Sequence, residues 1–330
     1  MSRVRYIGVR TVQTIFLLWL VLTFLFFFFR MMPGSFVDIM LFGGANQETI
    51  EAFKTKWGLN DPLYIQYWRY FINFLQLDMG TSLQFRTPVV EFVRVKIFNT
   101  LILAGPGITV GYVLGSVLGT VMGNRRGSKL ERYGIISLIT VGSFPGFFIG
   151  IILILIFSVW LNIFPTSGMV SAEVSAQYAD AAWWRPYLTK DFAMHYVLPF
   201  SAVVLRFLYS PTMVMRTSVV EVMGQDFNYY NRVTGLPYVK RLNHLARHSI
   251  LPVITLYPVS MTRAISGLVL LEIVFNWPGI GYALVQAVLS RDFPVVQFVF
   301  FVTAAVVIIS NFAVDIIYGF IDPRISVGED

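Results

Sequence analysis

Four charged residues lie inside otherwise apolar stretches of this 330-residue chain: Arg206, Arg263, Glu272 and Asp315. An Arg or Asp at the centre of a membrane helix costs roughly 2.5–3.5 kcal/mol on insertion scales. Each such charge must therefore pair, face protein, or line a watery route. With Trp277, these four are the candidates for a pathway or gate. Arg206 can meet an anionic solute or pair with Asp315 or Glu272. Glu272 can orient the Trp277-Pro278-Gly279 turn or line an external gate. Other chemistry is poorly supported. Gly123-Asn124-Arg125-Arg126-Gly127-Ser128-Lys129 has the wrong spacing and order for a phosphate-cradling loop and reads as a solvated basic loop, so ATP hydrolysis by this chain is not expected. His244 and His248 stand one helical turn apart, but no third metal ligand is nearby. His195 marks the entrance of an apolar stretch. Without cysteine there is no thiolate metal site and no disulfide. No nucleophile motif appears. The reading is a protein that is not itself an enzyme, with no metal and no cofactor of its own.

The elements that place these charges are membrane helices. Hydrophobic residues make up 56% of the chain and charged residues 13%, about half the usual charged share of a soluble domain. That excludes an ordinary soluble enzyme and a disordered chain. Arg3, Arg5 and Arg10 precede a charge-free run from Thr11 to Phe29, about 28 Å of helix. It is too long for a signal-peptide core and lacks a cleavage site, so it reads as a retained anchor. Five further spans follow: Ile97 to Gly123, Tyr133 to about Trp160, about His195 to Met215, Ser249 to about Val274, and Val295 to Tyr318. Six spans put both termini on one side. Segments 1–10, 123–132, 216–248 and 319–330 would be cytoplasmic and hold 13 Lys/Arg against 6 Asp/Glu. Segments 30–97, 161–194 and 274–294 would be external and hold 10 of each. The net charge of +7 thus falls on the cytoplasmic face, as the positive-inside tendency requires. The net charge reads as an orientation signal, not as nucleic-acid binding.

Gly107, Gly111, Gly115, Gly119 and Gly123 recur every four residues and form a small-residue ridge for close helix packing, either within the bundle or at a subunit seam. Gly105-Pro106-Gly107 suggests a kink or irregular turn. Gly142-Ser143-Phe144-Pro145-Gly146 is a second breaker, inside the third span. The external segment 30–96 carries aromatic, half-apolar stretches such as Tyr64 to Phe71, expected to be interfacial helices rather than spans. Trp183 and Trp184 suit the membrane interface.

Between the fourth and fifth spans, Glu221 to Pro252 reads as a short helix, a break and a second helix. Asp226 can cap the first, Gly235 can supply a left-handed turn, and Pro237 suits the start of the next. A short helix held outside the membrane by two spans is a rigid knob that a partner could move, tilting the spans.

At this point the chain resembles the permease subunits of ATP-binding-cassette importers, in the dipeptide/oligopeptide/nickel group and of its first-permease type. Gly235 and Leu236 match the family's loop glycine and the residue after it, and Arg232, His244, Arg247 and Pro252 match its pattern. Arg30-Met31-Met32-Pro33-Gly34, Gly58-Leu59-Asn60-Asp61-Pro62-Leu63 and Asp78-Met79-Gly80-Thr81-Ser82 resemble its first span end and external domain. The run from Glu272 to Gly281 is the most specific match. Arg291 to Gln297 and Asp322-Pro323-Arg324 support it. Two departures stand out. Tyr229-Tyr230-Asn231 and Val233-Thr234 replace a small-and-basic run, which makes the knob more aromatic, and His248 stands where asparagine is common.

The resemblance implies an all-α membrane protein with six transmembrane helices in a cell (plasma or inner) membrane, both termini cytoplasmic. It has a long external segment after the first span, a five-span core over 97–318, and a cytoplasmic coupling helix within 216–248. It also implies a heterodimer with a second related permease, two cytoplasmic ATPase subunits carrying ATP and Mg²⁺, and an external binding protein. Asp226, Tyr229, Tyr230, Arg232, Gly235 and Leu236 would meet the ATPases. Peptides are the implied cargo. Oligosaccharides or nickel fit the same architecture, and an ATP-independent transporter is the alternative of another class.

Overall fold

The computed structural model describes residues 3–31, 47–82 and 84–321. Met32-Pro33-Gly34 and Asp322-Pro323-Arg324, quoted above, lie outside the described residues, as does the tail from 322 onward. The described residues are helical, with only an isolated bridge between Thr81 and Pro88. In chain order the helices are α1 (Arg3–Met31), α2 (Gln47–Trp57), α3 (Leu63–Leu75), α4 (Val89–Asn124), α5 (Lys129–Ser143) and α6 (Gly146–Leu153). A π-helical stretch (Ile154–Trp160), α7 (Ala172–Gln177) and a 3₁₀ turn (Arg185–Leu188) follow. Then come α8 (Lys190–Val222), α9 (Asp226–Val233), α10 (Tyr238–Ser249), α11 (Leu251–Gly267), α12 (Val269–Val274), α13 (Ile280–Leu289) and α14 (Phe293–Ile321). The chain forms two compact units, one of Met1–Phe98 with Ala283–Asp330 and the other of Asn99–Tyr282.

In the first unit α1 packs antiparallel on α14. Phe29 meets Phe293 at one end (ring centroids 5.9 Å). At the other end the Tyr6 hydroxyl donates to the Asp315 carbonyl at 3.4 Å. The described ends of the chain therefore leave this pair on one side. The outer face of α1, with Val12, Ile15, Phe16, Trp19 and Phe24, is exposed and apolar, as lipid contact demands. α3 lies against α1 through aromatic contacts. Thr23 and Tyr67 hydroxyls are 2.8 Å apart, and the Arg30 guanidinium covers the Phe26 ring at 3.9 Å while donating to Gln66 Oε1.

In the second unit the glycine ridge of α4 packs on α8. A Cβ built on Gly107 would fall 2.7 Å from Val203 Cγ1, one on Gly115 2.7 Å from Pro211 Cγ, and one on Gly123 2.8 Å from Val219 Cβ. Residue numbers rise together along both helices, so α4 and α8 run parallel. α4 stays one helix through Pro106, so the expected irregular turn at Gly105-Pro106-Gly107 is absent. The breaker at 142–146 does act: α5 and the helix from Gly146 to Trp160 diverge by 101°. Pro145 has no N–H to extend α5, and Phe144 before it is extended (ψ 140°), as a residue preceding proline prefers.

Among the described residues four helices, α1, α4, α8 and α14, are long and apolar enough to cross a membrane, and the bent pair makes a fifth candidate. In the stretch from Ser249 to Val274, expected as one span, Ser249 ends α10 and Leu251–Val274 is divided into α11 and α12 at Leu268. Leu268 itself keeps a helical backbone (φ −88°, ψ −7°), its N–H bonding the Ala264 carbonyl at 3.0 Å and its carbonyl accepting the Glu272 N–H at 2.9 Å. Leu268, Leu271 and Phe275, each 3% exposed or less, lie in the core.

Candidate functional site

Two elements gather the residues singled out above. The first is a corner formed where α12 ends. Asn276 takes a left-handed backbone (φ +49°), which asparagine tolerates better than most residues. Its N–H bonds the Ile273 carbonyl at 3.1 Å, and the Trp277 N–H bonds the Glu272 carbonyl at 2.8 Å, closing the helix end. The turn carries Trp277 fully into the interior, 0% exposed, where its indole N–H donates to the Asn99 carbonyl at 2.9 Å. Asn99 Nδ2 donates to the Pro278 carbonyl at 2.8 Å, and its Oδ1 accepts from the Tyr187 hydroxyl. Burial pushes that hydroxyl up to about 12, so it remains a donor.

Glu272, 1% exposed, is the hub of the corner. Its Oε1 accepts from Thr100 Oγ1 at 2.6 Å and its Oε2 from the Tyr282 N–H at 2.8 Å. Thr100 Oγ1 in turn accepts the Ile280 N–H at 2.9 Å. A buried carboxylate is tolerated only when bonded in this way.

The second element is the loop between α8 and α11. Asn228 is buried, and its side-chain amide donates to the Met223 carbonyl at 3.0 Å, which locks α9 to the end of α8. Gly235 is left-handed (φ +68°). The bonds Gly235 N–H to Arg232 O and Leu236 N–H to Asn231 O, both 3.2 Å, close α9 in the same manner as the corner. Pro237 then starts α10. This leaves Tyr229, Tyr230 and Val233 protruding, each 64–68% exposed. Phe227 packs on the His248 ring at 4.4 Å. Asp226 is the first residue of α9 rather than its cap; Gln225 holds that position and makes no side-chain cap bond. A negative charge in the first turn still suits the helix dipole.

The charged candidates separate. Asp315 lies 3.5 Å from the Arg10 guanidinium, and Glu272 bonds within the corner, so neither is placed as the ion partner expected for Arg206. Arg206 is exposed on α8, its stem against Gly146, and Arg263 is exposed on α11. Neither forms an ion pair among the described residues. Trp277 and Glu272 lie inside the corner and shape it. Of the packing glycines, Gly111 and Gly119 also abut α8 backbone, at 3.0 Å from Val204 O and 2.5 Å from Thr212 O for a built Cβ. Among the described residues no three His, Cys, Asp or Glu side chains cluster as metal ligands.

Sequence reasoning missed one polar tie. Glu131, 6% exposed, accepts from Arg216 Nε at 2.8 Å and also from its Nη2. Its other oxygen accepts the Gly127 N–H at 2.6 Å. The signal was present as Ser128 followed three residues later by Glu131, a capping-box spacing, and Ser128 Oγ does accept the Glu131 N–H at 3.2 Å. Asn99, Thr100 and Tyr187 carried no local signal, because their partners lie far along the chain.

Residues 115–327 match the family model described as binding-protein-dependent transport system inner membrane component. Residues 3–96 match the model for the N-terminal part of such membrane components. The oligopeptide transport system permease protein AppB of Bacillus subtilis (strain 168) is 31% identical over 323 residues, covering 97% of this chain and 98% of the relative. The glutathione transport system permease protein GsiC of Escherichia coli (strain K12) is 30% identical over 321 residues, covering 97% and 98%. GsiC of Salmonella paratyphi A gives the same identity and coverage.

Proposed function

The chain belongs to the binding-protein-dependent transport system inner membrane component family, and on that premise we propose that it is the membrane subunit of an ATP-driven importer of peptides. The observation that carries the mechanism is α9: a short helix locked to the end of α8 by Asn228, closed by Gly235, and presenting Tyr229 and Tyr230 outward. Two cytoplasmic ATPase subunits carrying ATP and Mg²⁺ would grip this helix and its counterpart on a second, related permease. Contact would fall on Asp226, Tyr229, Tyr230, Arg232, Gly235 and Leu236. Movement of α9 would pass directly into α8, because the joint between them is hydrogen-bonded rather than a free linker. The two permeases would enclose a path opened alternately to each side, and an external binding protein would supply the solute. Peptide cargo is supported by the oligopeptide and glutathione relatives.

The topology proposed is six crossings with both termini cytoplasmic. The bent pair counts as the third, and α11 with α12 as the fifth. The parallel run of α4 and α8 fits their places as second and fourth crossings, and the antiparallel α1 and α14 fit first and sixth. Arg206 and Arg263 are the proposed pathway residues. Co-purification of the ATPase subunits with the unaltered chain, and their loss on Tyr229→Ala/Tyr230→Ala, tests the role of α9. Full retention by that double variant would reject it.

A further inference from the structure

A row of polar side chains runs along facing parts of α4 and α11, deep within segments that are otherwise apolar. The Thr109 and Tyr257 hydroxyls are 2.7 Å apart, and Thr109 Oγ1 donates to the Gly105 carbonyl at 2.7 Å. The Tyr257 hydroxyl is therefore the donor to Thr109. Tyr112 donates to the Leu256 carbonyl at 3.2 Å and also bonds Ser260 Oγ, so Ser260 is the donor there. The two tyrosine rings meet edge to face, centroids 5.1 Å apart. Tyr257, Ser260 and Arg263 follow at three-residue steps along α11. Thr109 and Arg263 are exposed, and Tyr257 and Ser260 partly so.

The hydrogen-bond bookkeeping fixes what this face can still accept. All four hydroxyl protons are engaged inside the protein. What remains outward is oxygen lone pairs, which accept, and the Arg263 guanidinium, which offers up to five N–H donors and no acceptor. Arg263 forms no ion pair among the described residues. A complementary solute carries a carboxylate next to N–H donors. A lipid acyl chain offers neither, and a single acidic side chain of a neighbouring subunit would use Arg263 but leave the hydroxyl oxygens idle.

We propose that this face of α4 and α11 is a contact site for the C-terminal end of a transported peptide, Arg263 taking the carboxylate and the hydroxyl oxygens of Tyr257 and Ser260 taking amide N–H groups. The proposal rests on the peptide-importer reading above and assigns a place within it.

The test uses the assembled complex in proteoliposomes with ATP and the external binding protein. The probes are trialanine and its C-terminal amide. Arg263→Gln is expected to lower the uptake ratio of trialanine to amide at least tenfold, and Arg263→Lys to keep most of it, with the second permease still co-purifying. Equal loss of both probes, or an unchanged ratio, overturns the assignment while leaving the importer reading intact. So does loss of the second permease from the Arg263→Gln preparation, which would give Arg263 to a subunit interface. Unaltered complexes that import neither probe overturn the peptide reading and this assignment together.

Discussion

The Glu272 carboxylate fills the space where a side chain at position 279 would stand: a Cβ built on Gly279 would lie 2.1 Å from Glu272 Oε1. The turn and the acid are therefore fitted to each other, and neither position tolerates change alone. Gly279→Ala forces the carboxylate off Thr100 and Tyr282. Strain of about 1–3 kcal/mol from overpacking, with a buried charge losing its bonds in addition, predicts a marked fall in thermal stability of the purified complex. Glu272→Gln keeps the shape but puts an amide NH₂ against one of two donors, and is expected to cost about 1–3 kcal/mol. Stability unchanged in both variants would contradict this picture of the corner.

α4 predicts a sharp contrast between a glycine on the ridge and one off it. Gly119→Leu must displace the α8 backbone, since even a Cβ would sit 2.5 Å from Thr212 O. Its membrane abundance should collapse. Gly105→Ala meets nothing within 4 Å and gains helix propensity, so abundance should hold or rise. Quantitative blotting of membrane fractions separates the two.

The tie between Glu131 and Arg216 joins the first turn of α5 to the last third of α8. Removing one partner of a buried pair costs about 3–5 kcal/mol when the other charge stays buried. Arg216 is 25% exposed at its side chain, so Glu131→Ala should fall at or below the lower end of that range. The double variant Glu131→Ala/Arg216→Ala should be less damaged than the two single losses added together. Thermal unfolding of all three in detergent reads this coupling directly.

Gly235 separates local strain from packing. At φ +68° an alanine is strained by its backbone alone, because its Cβ would meet nothing within 4 Å. Gly235→Ala should cost about 1 kcal/mol, and Gly235→Asn less, since asparagine tolerates this conformation. ATP-driven uptake measured at matched protein levels should fall in the order unaltered, Asn, Ala.

The contrast between what sequence showed and what it hid has a physical basis. Long apolar runs, the Phe144-Pro145 break and the Gly235 turn are local signals, and they appear where expected. In the fifth stretch hydropathy did not register the break at Leu268 between α11 and α12, because an interruption in the backbone leaves the residues on either side as apolar as before. Glu272 was visible as a charge, but its partners Thr100 and Tyr282 were not, because pairing across the sequence depends on packing. The exposed tyrosines of α9 were legible as unusual residues in a loop. Their protrusion depends on Asn228, an ordinary residue whose role shows only in its bond to Met223.

The central claim is that this chain moves peptides only as part of an ATP-driven complex. Reconstitution of the full chain with its co-purifying subunits in liposomes, followed by uptake of a labelled tripeptide, tests it most directly. The account predicts uptake that requires ATP, the ATPase subunits and the external binding protein, and that stops when any one is withheld. Tripeptide uptake by this chain alone, without ATP or ATPase subunits, would contradict it.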